Sequence, residues 1–169
     1  MVQNHLTQLL SLIAMEVPSG FEAEAIRMEK IKVLKSLAEL SPQDAVLGQY
    51  VSNQTVEGEI QGYREEQEIP GDSETETFAA IKVEVNNWRW QGVPFYLRTG
   101  KRMPKKLIVI DVVFREPPVY LFGGQAVCRP EANVLRIQLQ PNEGLDLSFE
   151  VKAPGDGFNL KTQTLHFGY

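Results

Sequence analysis

The sequence has few of the residues that form covalent or metal cross-links. Its 169 residues include one cysteine, Cys128, and two histidines, His5 and His166. A single cysteine excludes an intrachain disulfide and fits a reducing compartment. Two distant histidines and one cysteine do not provide the ligand spacing of a zinc site. We therefore expect a protein with neither a disulfide nor a bound metal.

Long hydrophobic runs are also lacking. The longest apolar stretches, residues 9–15 and 107–114, are interrupted by Ser11 and Asp111. Both are much shorter than the roughly 20 apolar residues of a membrane-spanning helix. The N-terminus has no basic start followed by an apolar stretch and a small-residue cleavage site, which a secretory signal would need. These features predict a soluble, cytoplasmic protein that does not bind a membrane.

Positive charge is in the minority. The chain has 17 Lys and Arg against 22 Asp and Glu, a net charge of -5 at pH 7. This balance argues against a protein whose main partner is nucleic acid. Hydrophobic residues make up 43% and charged residues 23%, which is typical of a folded globular chain.

Two helices are predicted at the start of the chain. Apolar residues at helical spacing mark the first, which contains no charged side chain between Met1 and Met15 and is therefore expected to be largely buried. The second is predicted from about Glu22 to Leu40, and Pro42 follows it. Its predicted core face consists of Ile26, Ile31, Leu34, Leu37 and Ala38.

Strands are predicted after Pro42, because the apolar pattern there repeats every two residues. The predicted strands are residues 46–51, 78–85, 94–98, 107–114, 134–140, 145–151 and 160–167. Residues 141–144, Pro-Asn-Glu-Gly, read as the turn of a hairpin between two of them. Most connections are too short for the crossovers of a parallel sheet. The sequence therefore predicts an α+β fold, with N-terminal helices packed on a largely antiparallel sheet.

Residues 57–76 are strongly acidic, with eight carboxylates and one base, Arg64. A carboxylate cluster could hold a metal ion, but the offsets of a hard-cation loop are missing. A solvated loop is the interpretation that we prefer.

Residues 98–106, Arg-Thr-Gly-Lys-Arg-Met-Pro-Lys-Lys, hold five bases and no acid. A cation cluster after a strand can bind a phosphorylated small molecule, and Gly100 would let the backbone approach it. A solvated basic turn is about equally compatible with this composition. The segment is not a P-loop, because Phe95 stands where the first glycine is required.

His5 has two interpretations as well. Its ordinary pKa of about 6.5 suits a general base, yet a histidine on an apolar helix is more often a hydrogen-bonded core residue. A dinucleotide fingerprint is missing, since Gly155 and Gly157 are followed by Leu160 where a third glycine would stand. We therefore expect no nucleotide-binding fold within this chain.

Several segments together resemble one family. They are Val-Gln-Asn-His-Leu at residues 2–6, Gly-Gln-Tyr at 48–50, Thr-Glu-Thr-Phe-Ala-Ala at 75–80, Asn-Trp-Arg-Trp-Gln-Gly-Val-Pro-Phe at 87–95, Leu-Arg-Thr-Gly-Lys-Arg at 97–102 and Gln-Pro-Asn-Glu-Gly at 140–144. With residues 29–34, they resemble the C-terminal domain of the glucose-6-phosphate dehydrogenase family in order over nearly the whole chain. The resemblance implies that residues 1–169 are part of the substrate-binding and dimerisation domain, without the NADP-binding Rossmann domain. The helix that begins at residue 1 and the strand pattern that runs to the last residue fit an internal fragment.

The resemblance also implies a function. The family oxidises glucose 6-phosphate at C1 to a lactone and passes the hydride to NADP. His5 matches its general base, and Lys101 and Lys106 match its substrate-binding lysines. A homo-dimer or tetramer through the sheet is implied too, which leaves a non-catalytic association module as the alternative for the isolated chain. Arg98 matches one basic residue of a second NADP site in some animal members, but Leu107, Asp111 and Gln138 stand at the later basic positions.

Overall fold

The computed structural model describes residues 2–56, 58–118, 131–155 and 159–168. Cys128 lies outside these ranges. The chain forms two compact units, Met1–Met103 and Pro104–Tyr169. In the part that is described, no helix is long and apolar enough to cross a membrane.

The first unit combines helices with two small antiparallel sheets. A π-helical turn, Val2–Leu6, leads into α1, Thr7–Ala14, and α2 spans Ala23–Lys35. The strands are β1 Ala45–Gly48, β2 Asn53–Thr55, β3 Gly58–Ile60, β4 Phe78–Glu84 and β5 Pro94–Gly100. β4 lies between β1 and β5, and β2 pairs with β3. Short 3-10 turns occupy Pro42–Asp44 and Tyr63–Glu65.

The core of this unit lies between the helices and the end of β4. Ala14, Val33 and Val85 are buried together, and Trp90 packs against them. The Trp90 indole N–H donates to the Ala14 carbonyl at 2.9 Å. This bond satisfies one of the carbonyls that the end of α1 leaves without a helical partner. The indole therefore fixes α1 to the loop before β5.

The two helices differ from their predictions in detail. On α1 only Leu10, Ser11 and Ala14 are buried, and Leu12 is 46% exposed, so the expectation of a largely buried helix was wrong. α2 ends at Lys35 rather than near Leu40.

The early end of α2 has a physical cause in the sheet. Leu37 forms a β-bridge with Val85, and the Ala38 N–H donates to the Glu84 carbonyl. The backbone after α2 thus exchanges helical hydrogen bonds for pairing with the end of β4. Val33, which the predicted core face omitted, is the buried residue of the helix.

The second unit is a four-stranded antiparallel sheet in sequence order. Its strands are β6 Ile108–Val113, β7 Val134–Gln140, β8 Gly144–Lys152 and β9 Leu160–Gly168. The predicted hairpin at residues 141–144 joins β7 to β8, with Leu135 opposite Leu147 and Ile137 opposite Leu145. All pairings among the described strands are antiparallel, so the predicted α+β fold is confirmed.

One face of this sheet carries a row of ionisable side chains across all four strands. Register places Asp111 opposite Arg136, Arg136 opposite Asp146, and Asp146 opposite His166. Arg136 donates to both Asp111 carboxylate oxygens, at 2.7 and 2.8 Å, and the His166 ring pairs with Asp146 at 2.5 Å. We call these four residues the charge ladder. The Arg136 guanidinium lowers the pKa of Asp111 mainly through its hydrogen bonds.

Candidate functional site

His5 lies in the π-helical turn that precedes α1, and its side chain is exposed. No hydrogen bond or ion pair of His5 occurs within the described residues, so the interpretation of His5 as a hydrogen-bonded core residue was wrong. The Thr7 hydroxyl donates to the Val2 carbonyl at 3.0 Å, so the first residue of α1 is bonded to the first residue of the turn. β5 runs in contact with this turn. The structure therefore places His5 on an element that borders the strand leading to the basic segment.

Lys101 follows the last residue of β5. Its backbone N–H donates to the Thr77 carbonyl at 2.8 Å, which extends the pairing of β4 with β5 by one step. The Lys101 side chain is exposed and has no hydrogen bond or ion pair with any described residue. Its ammonium group is therefore available to a ligand.

Lys106 belongs to the second unit and lies two residues before β6. Its side chain is exposed, like that of Lys105 beside it. The segment 98–106 thus divides between the end of one sheet and the start of the other.

Gly100 serves packing rather than approach to a ligand. A Cβ at this position would lie 2.9 Å from the Met103 sulfur and 3.1 Å from a ring carbon of Phe78. Those side chains of the protein occupy the space that we had expected a ligand to use. The expectation that Gly100 lets the backbone approach a ligand was therefore wrong.

A groove of about 560 Å³ opens beside Lys101. Its walls include Tyr50, Tyr63, Glu66, Thr77, Lys101 and Arg102. The Tyr50 and Tyr63 rings meet edge to face, with centroids 5.8 Å apart. With Glu76, which also lines it, the groove combines aromatic surface with two carboxylates and two cations.

Thr77 holds the three segments of the groove together. It is buried, at 5% exposure. Its hydroxyl accepts from the Tyr50 N–H at 3.0 Å, and its own N–H donates to the Gly48 carbonyl at 2.9 Å. With the bond from the Lys101 N–H, this one residue joins the end of β1, the start of β4 and the end of β5.

Arg102 is engaged with the acidic segment. Its guanidinium donates to a Glu66 carboxylate oxygen at 2.7 Å and lies 5.8 Å from the centre of the Tyr50 ring. The Tyr50 hydroxyl donates to the same Glu66 oxygen at 2.8 Å. The bonds from Tyr50 and Arg102 hold the pKa of Glu66 below its ordinary value, and the bond to Glu66 raises the pKa of Tyr50.

The solvated-loop interpretation of residues 57–76 was therefore wrong for part of the segment. Gln49 donates to the carbonyls of Ser73 and Thr75, both at 2.8 Å, and Arg64 donates to Gln49 and to Ser73. Hydrogen bonds hold this acidic segment against the strand ends. No group of three or more His, Cys, Asp or Glu side chains suited to a metal ion occurs among the described residues.

Sequence reasoning missed the contact of the acidic segment with Arg102. The signal was present in the charge pattern: an antiparallel pair of β4 and β5 places the segment before β4 beside the segment after β5. The first of these segments is acidic and the second is basic. Opposite charges at adjoining strand ends favour an ion pair.

The fold is an α+β arrangement in which an exposed lysine, Lys101, follows β5 in the first unit and two more, Lys105 and Lys106, precede β6 in the second. The chain matches, over residues 1–169, the family described as glucose-6-phosphate dehydrogenase, C-terminal domain. The chain belongs to this family.

Individual relatives agree with this assignment. Glucose-6-phosphate 1-dehydrogenase of Borreliella burgdorferi is 45% identical over 173 residues, covering 100% of this chain and 36% of the relative. The enzyme of Rhizobium meliloti is 50% identical over 161 residues, covering 93% and 32%. A solved structure of a glucose-6-phosphate dehydrogenase in complex with its substrate glucose-6-phosphate has a TM-score of 0.87 at 36% identity, covering 100% of this chain and 34% of the other. The chain thus spans about a third of the length of these relatives.

Proposed function

We propose that this chain is the substrate-binding part of a glucose-6-phosphate 1-dehydrogenase. That enzyme would oxidise the C1 hydroxyl of glucose 6-phosphate to 6-phosphoglucono-lactone with NADP. The observation that carries the proposal is the exposed Lys101 ammonium at the end of β5, which has no partner among the described residues, in a chain of this family whose relatives carry that name. Both reactants are highly charged and do not cross a membrane unaided, so we propose a cytoplasmic enzyme.

In this proposal the lysines and the histidine act on opposite ends of the sugar. Lys101 and Lys106 bind the phosphate group, and this binding energy orients C1. The exposed His5 imidazole accepts the proton of the C1 hydroxyl as hydride leaves C1. His5 is on the π-helical turn that borders β5, which fits a base held near the strand of the phosphate-binding lysine.

The hydride acceptor would be NADP. The described strands pair only antiparallel, and the dinucleotide fingerprint is missing from the sequence, so nothing described here fits a nicotinamide dinucleotide. We therefore place the NADP-binding domain outside these 169 residues. The isolated chain is expected not to reduce NADP with glucose 6-phosphate, and turnover above that of its His5→Ala variant would contradict this.

Lysine substitutions in the whole protein that carries this chain test the proposal. Lys101→Ala and Lys106→Ala should each remove a charge-assisted contact worth roughly 1.5 to 3 kcal/mol, or about ten- to a hundredfold in KM or kcat/KM. Lys105→Ala is the matched control, because Lys105 is an exposed lysine of the same segment. Equal losses at all three that shrink together as salt is added would indicate a diffuse basic patch and contradict the assignment.

His5→Ala tests the base separately. The substitution should lower kcat by roughly 10² or more, the usual contribution of a positioned general base. An unchanged kcat would remove His5 from the reaction while leaving the phosphate-binding lysines to be judged by their own variants.

A second candidate function is association of subunits without chemistry. The fully buried hydrophobic residues of the described chain all lie in the first unit. On the second sheet, register gathers Ile110, Ile137 and Leu145 on one face, and on β9 of that face Leu165 and Phe167 are 49% and 59% exposed. Val109 and Val113 lie on the other face, that of the charge ladder.

Partly exposed apolar side chains on one sheet face favour assembly into a homo-dimer or tetramer through this sheet. Sedimentation of the chain at high micromolar concentration tests the association. A clean monomer would contradict it, and the dehydrogenase assay decides independently whether the protein is also an enzyme.

A further inference from the structure

Two adjacent cations at the end of β5, Lys101 and Arg102, differ in whether their side chains have a partner. The Lys101 ammonium is without a partner among the described residues, whereas the Arg102 guanidinium is bound by Glu66 and lies beside the Tyr50 ring. An arginine that already donates to a carboxylate is poorly placed to bind a phosphate as well. The two residues therefore have different tasks.

The backbone of Arg102 adds to this picture. Its φ of 53° lies in the left-handed region, which residues other than glycine seldom adopt. The side chain is held from outside the turn, by a carboxylate 36 residues earlier in the chain. Such backbone positions persist where the surroundings determine them. The bond to Glu66 thus helps to define the turn that follows Lys101.

Lys101 is consequently fastened on both sides. Its own N–H is bound to the Thr77 carbonyl at 2.8 Å, and the next side chain is bound to Glu66 at 2.7 Å. Tyr50 connects the two anchors, because its N–H donates to the Thr77 hydroxyl and its phenol donates to Glu66.

We propose that Arg102, Glu66 and Tyr50, which we call the Glu66 clamp, are positioning residues that fix Lys101 for its phosphorylated ligand. The inference rests on the proposed function of Lys101 and deepens it. The clamp residues do not contact the substrate; they restrict the directions from which the Lys101 ammonium is presented. Their loss widens that range and weakens substrate binding.

A purely electrostatic role for these charges predicts a different result. If Arg102 and Glu66 act only through their fields on the substrate phosphate, removing Arg102 raises KM, whereas removing Glu66 lowers it. A clamp predicts that both removals raise KM, since either one breaks the same bond. The sign of the Glu66 effect therefore separates the two accounts.

The experiment measures steady-state kinetics with glucose 6-phosphate in the whole protein. Arg102→Gln and Glu66→Ala are each expected to raise KM about three- to tenfold, with kcat within about twofold, because binding rather than the chemical step is affected. Glu66→Gln keeps an acceptor oxygen and should recover part of the loss. The double variant Arg102→Gln with Glu66→Ala should be no worse than the poorer single variant. A fall in KM for Glu66→Ala would overturn the proposal.

The chain offers a close control in Arg89 and Glu16. They form an exposed pair at the same 2.7 Å, and the Arg89 guanidinium also lies 5.8 Å from an aromatic ring, that of Trp90. Arg89→Gln removes an equivalent ion pair away from Lys101 and should leave KM unchanged. A KM rise as large as that of Arg102→Gln would mean a general effect on stability and would overturn the proposal.

The Lys101→Ala background separates failure of the clamp from failure of the proposed function. If the clamp acts through Lys101, Arg102→Gln adds no further KM increase there. Full additivity would overturn the clamp while leaving Lys101 as a substrate contact. An unchanged KM for Lys101→Ala alone would instead overturn the substrate contact on which the inference rests. Tyr50→Phe, which loses only the hydroxyl, gives a milder variant should Glu66→Ala fold poorly, and it should raise KM about twofold.

Discussion

The buried Thr77 hydroxyl accepts the hydrogen bond of the Tyr50 N–H, which ties the backbone after β1 to the start of β4. Thr77→Val should therefore measurably destabilise the first unit. Valine has nearly the same shape as threonine and can occupy the same buried space. It cannot accept the hydrogen bond of the Tyr50 N–H, which reaches the hydroxyl at 3.0 Å. The substitution therefore isolates the loss of one acceptor from any change in packing.

The magnitude follows from two opposing contributions. Leaving a buried N–H without an acceptor costs about 1 to 3 kcal/mol. Burying a methyl group in place of a hydroxyl returns up to about 0.8 kcal/mol. The free energy of unfolding should thus fall by about 0.2 to 3 kcal/mol. With a urea m-value of about 2 kcal/mol/M, the midpoint should move down by about 0.1 to 1.5 M.

Tryptophan fluorescence is the suitable assay, because it reports on the first unit alone. The sequence has two tryptophans, Trp88 and Trp90, and both lie in that unit. Trp88 is fully exposed, while Trp90 packs on the core, so the change in emission on unfolding comes mainly from Trp90. Thr77→Ser keeps the acceptor and serves as the control for the hydroxyl.

Unfolding of Thr77→Val at the wild-type urea concentration would show that the stability of the first unit does not depend on this acceptor. Thr77→Ser loses only the methyl that valine keeps, so any loss in that variant measures packing and does not account for a loss in Thr77→Val.

Two further predictions concern packing and charge. Gly100→Ala should lower the free energy of unfolding by up to about 1 kcal/mol, because its Cβ would press on Met103 and Phe78; urea unfolding should show a smaller loss in a Met103→Ala background, and an equal loss would contradict this. For Asp111, whose pKa Arg136 lowers, the pair stabilises the fold above the unfolded pKa of about 3.9, and this stabilisation is lost as the pH falls through the lower folded pKa. Carboxyl NMR titration should therefore show the pKa of Asp111 rising in Arg136→Gln, and an unchanged value would contradict the pairing.

The second sheet could be predicted from the sequence because the pattern that indicates it is local. Alternating apolar residues and a turn of Pro, Asn and Gly lie within one short stretch, and β7 was predicted at its observed bounds. β2 and β3 were missed, since three-residue strands of largely polar side chains, such as Asn53–Thr55, have no alternation to detect. Their pairing depends on the neighbouring strand rather than on their own composition.

The candidate site likewise has residues that short strings of sequence indicate and residues that only long-range contacts bring together. His5, Lys101 and Lys106 could be proposed from short strings of sequence. The charge pattern favours an ion pair between the acidic and basic segments but does not identify its residues, because Arg102 and Tyr50 contact Glu66 from 36 and 16 residues away. Such contacts depend on the register of β4 with β5, and an alternating pattern alone does not fix that register. The end of α2 escaped prediction for the same reason, as Leu37 continues the helical spacing while its backbone pairs with Val85.

The charge ladder has a consequence for how the second sheet avoids misassembly. A slip of one residue between two strands would turn apolar side chains to the other face, and burial opposes it. A slip of two residues keeps every side chain on its face, so the burial of apolar side chains does not oppose it. Such a slip of β7 against β6 would set Arg136 opposite a valine and leave Asp111 without its cation. The charge ladder disfavours such two-residue shifts. It thereby selects one register among those that bury the same apolar side chains.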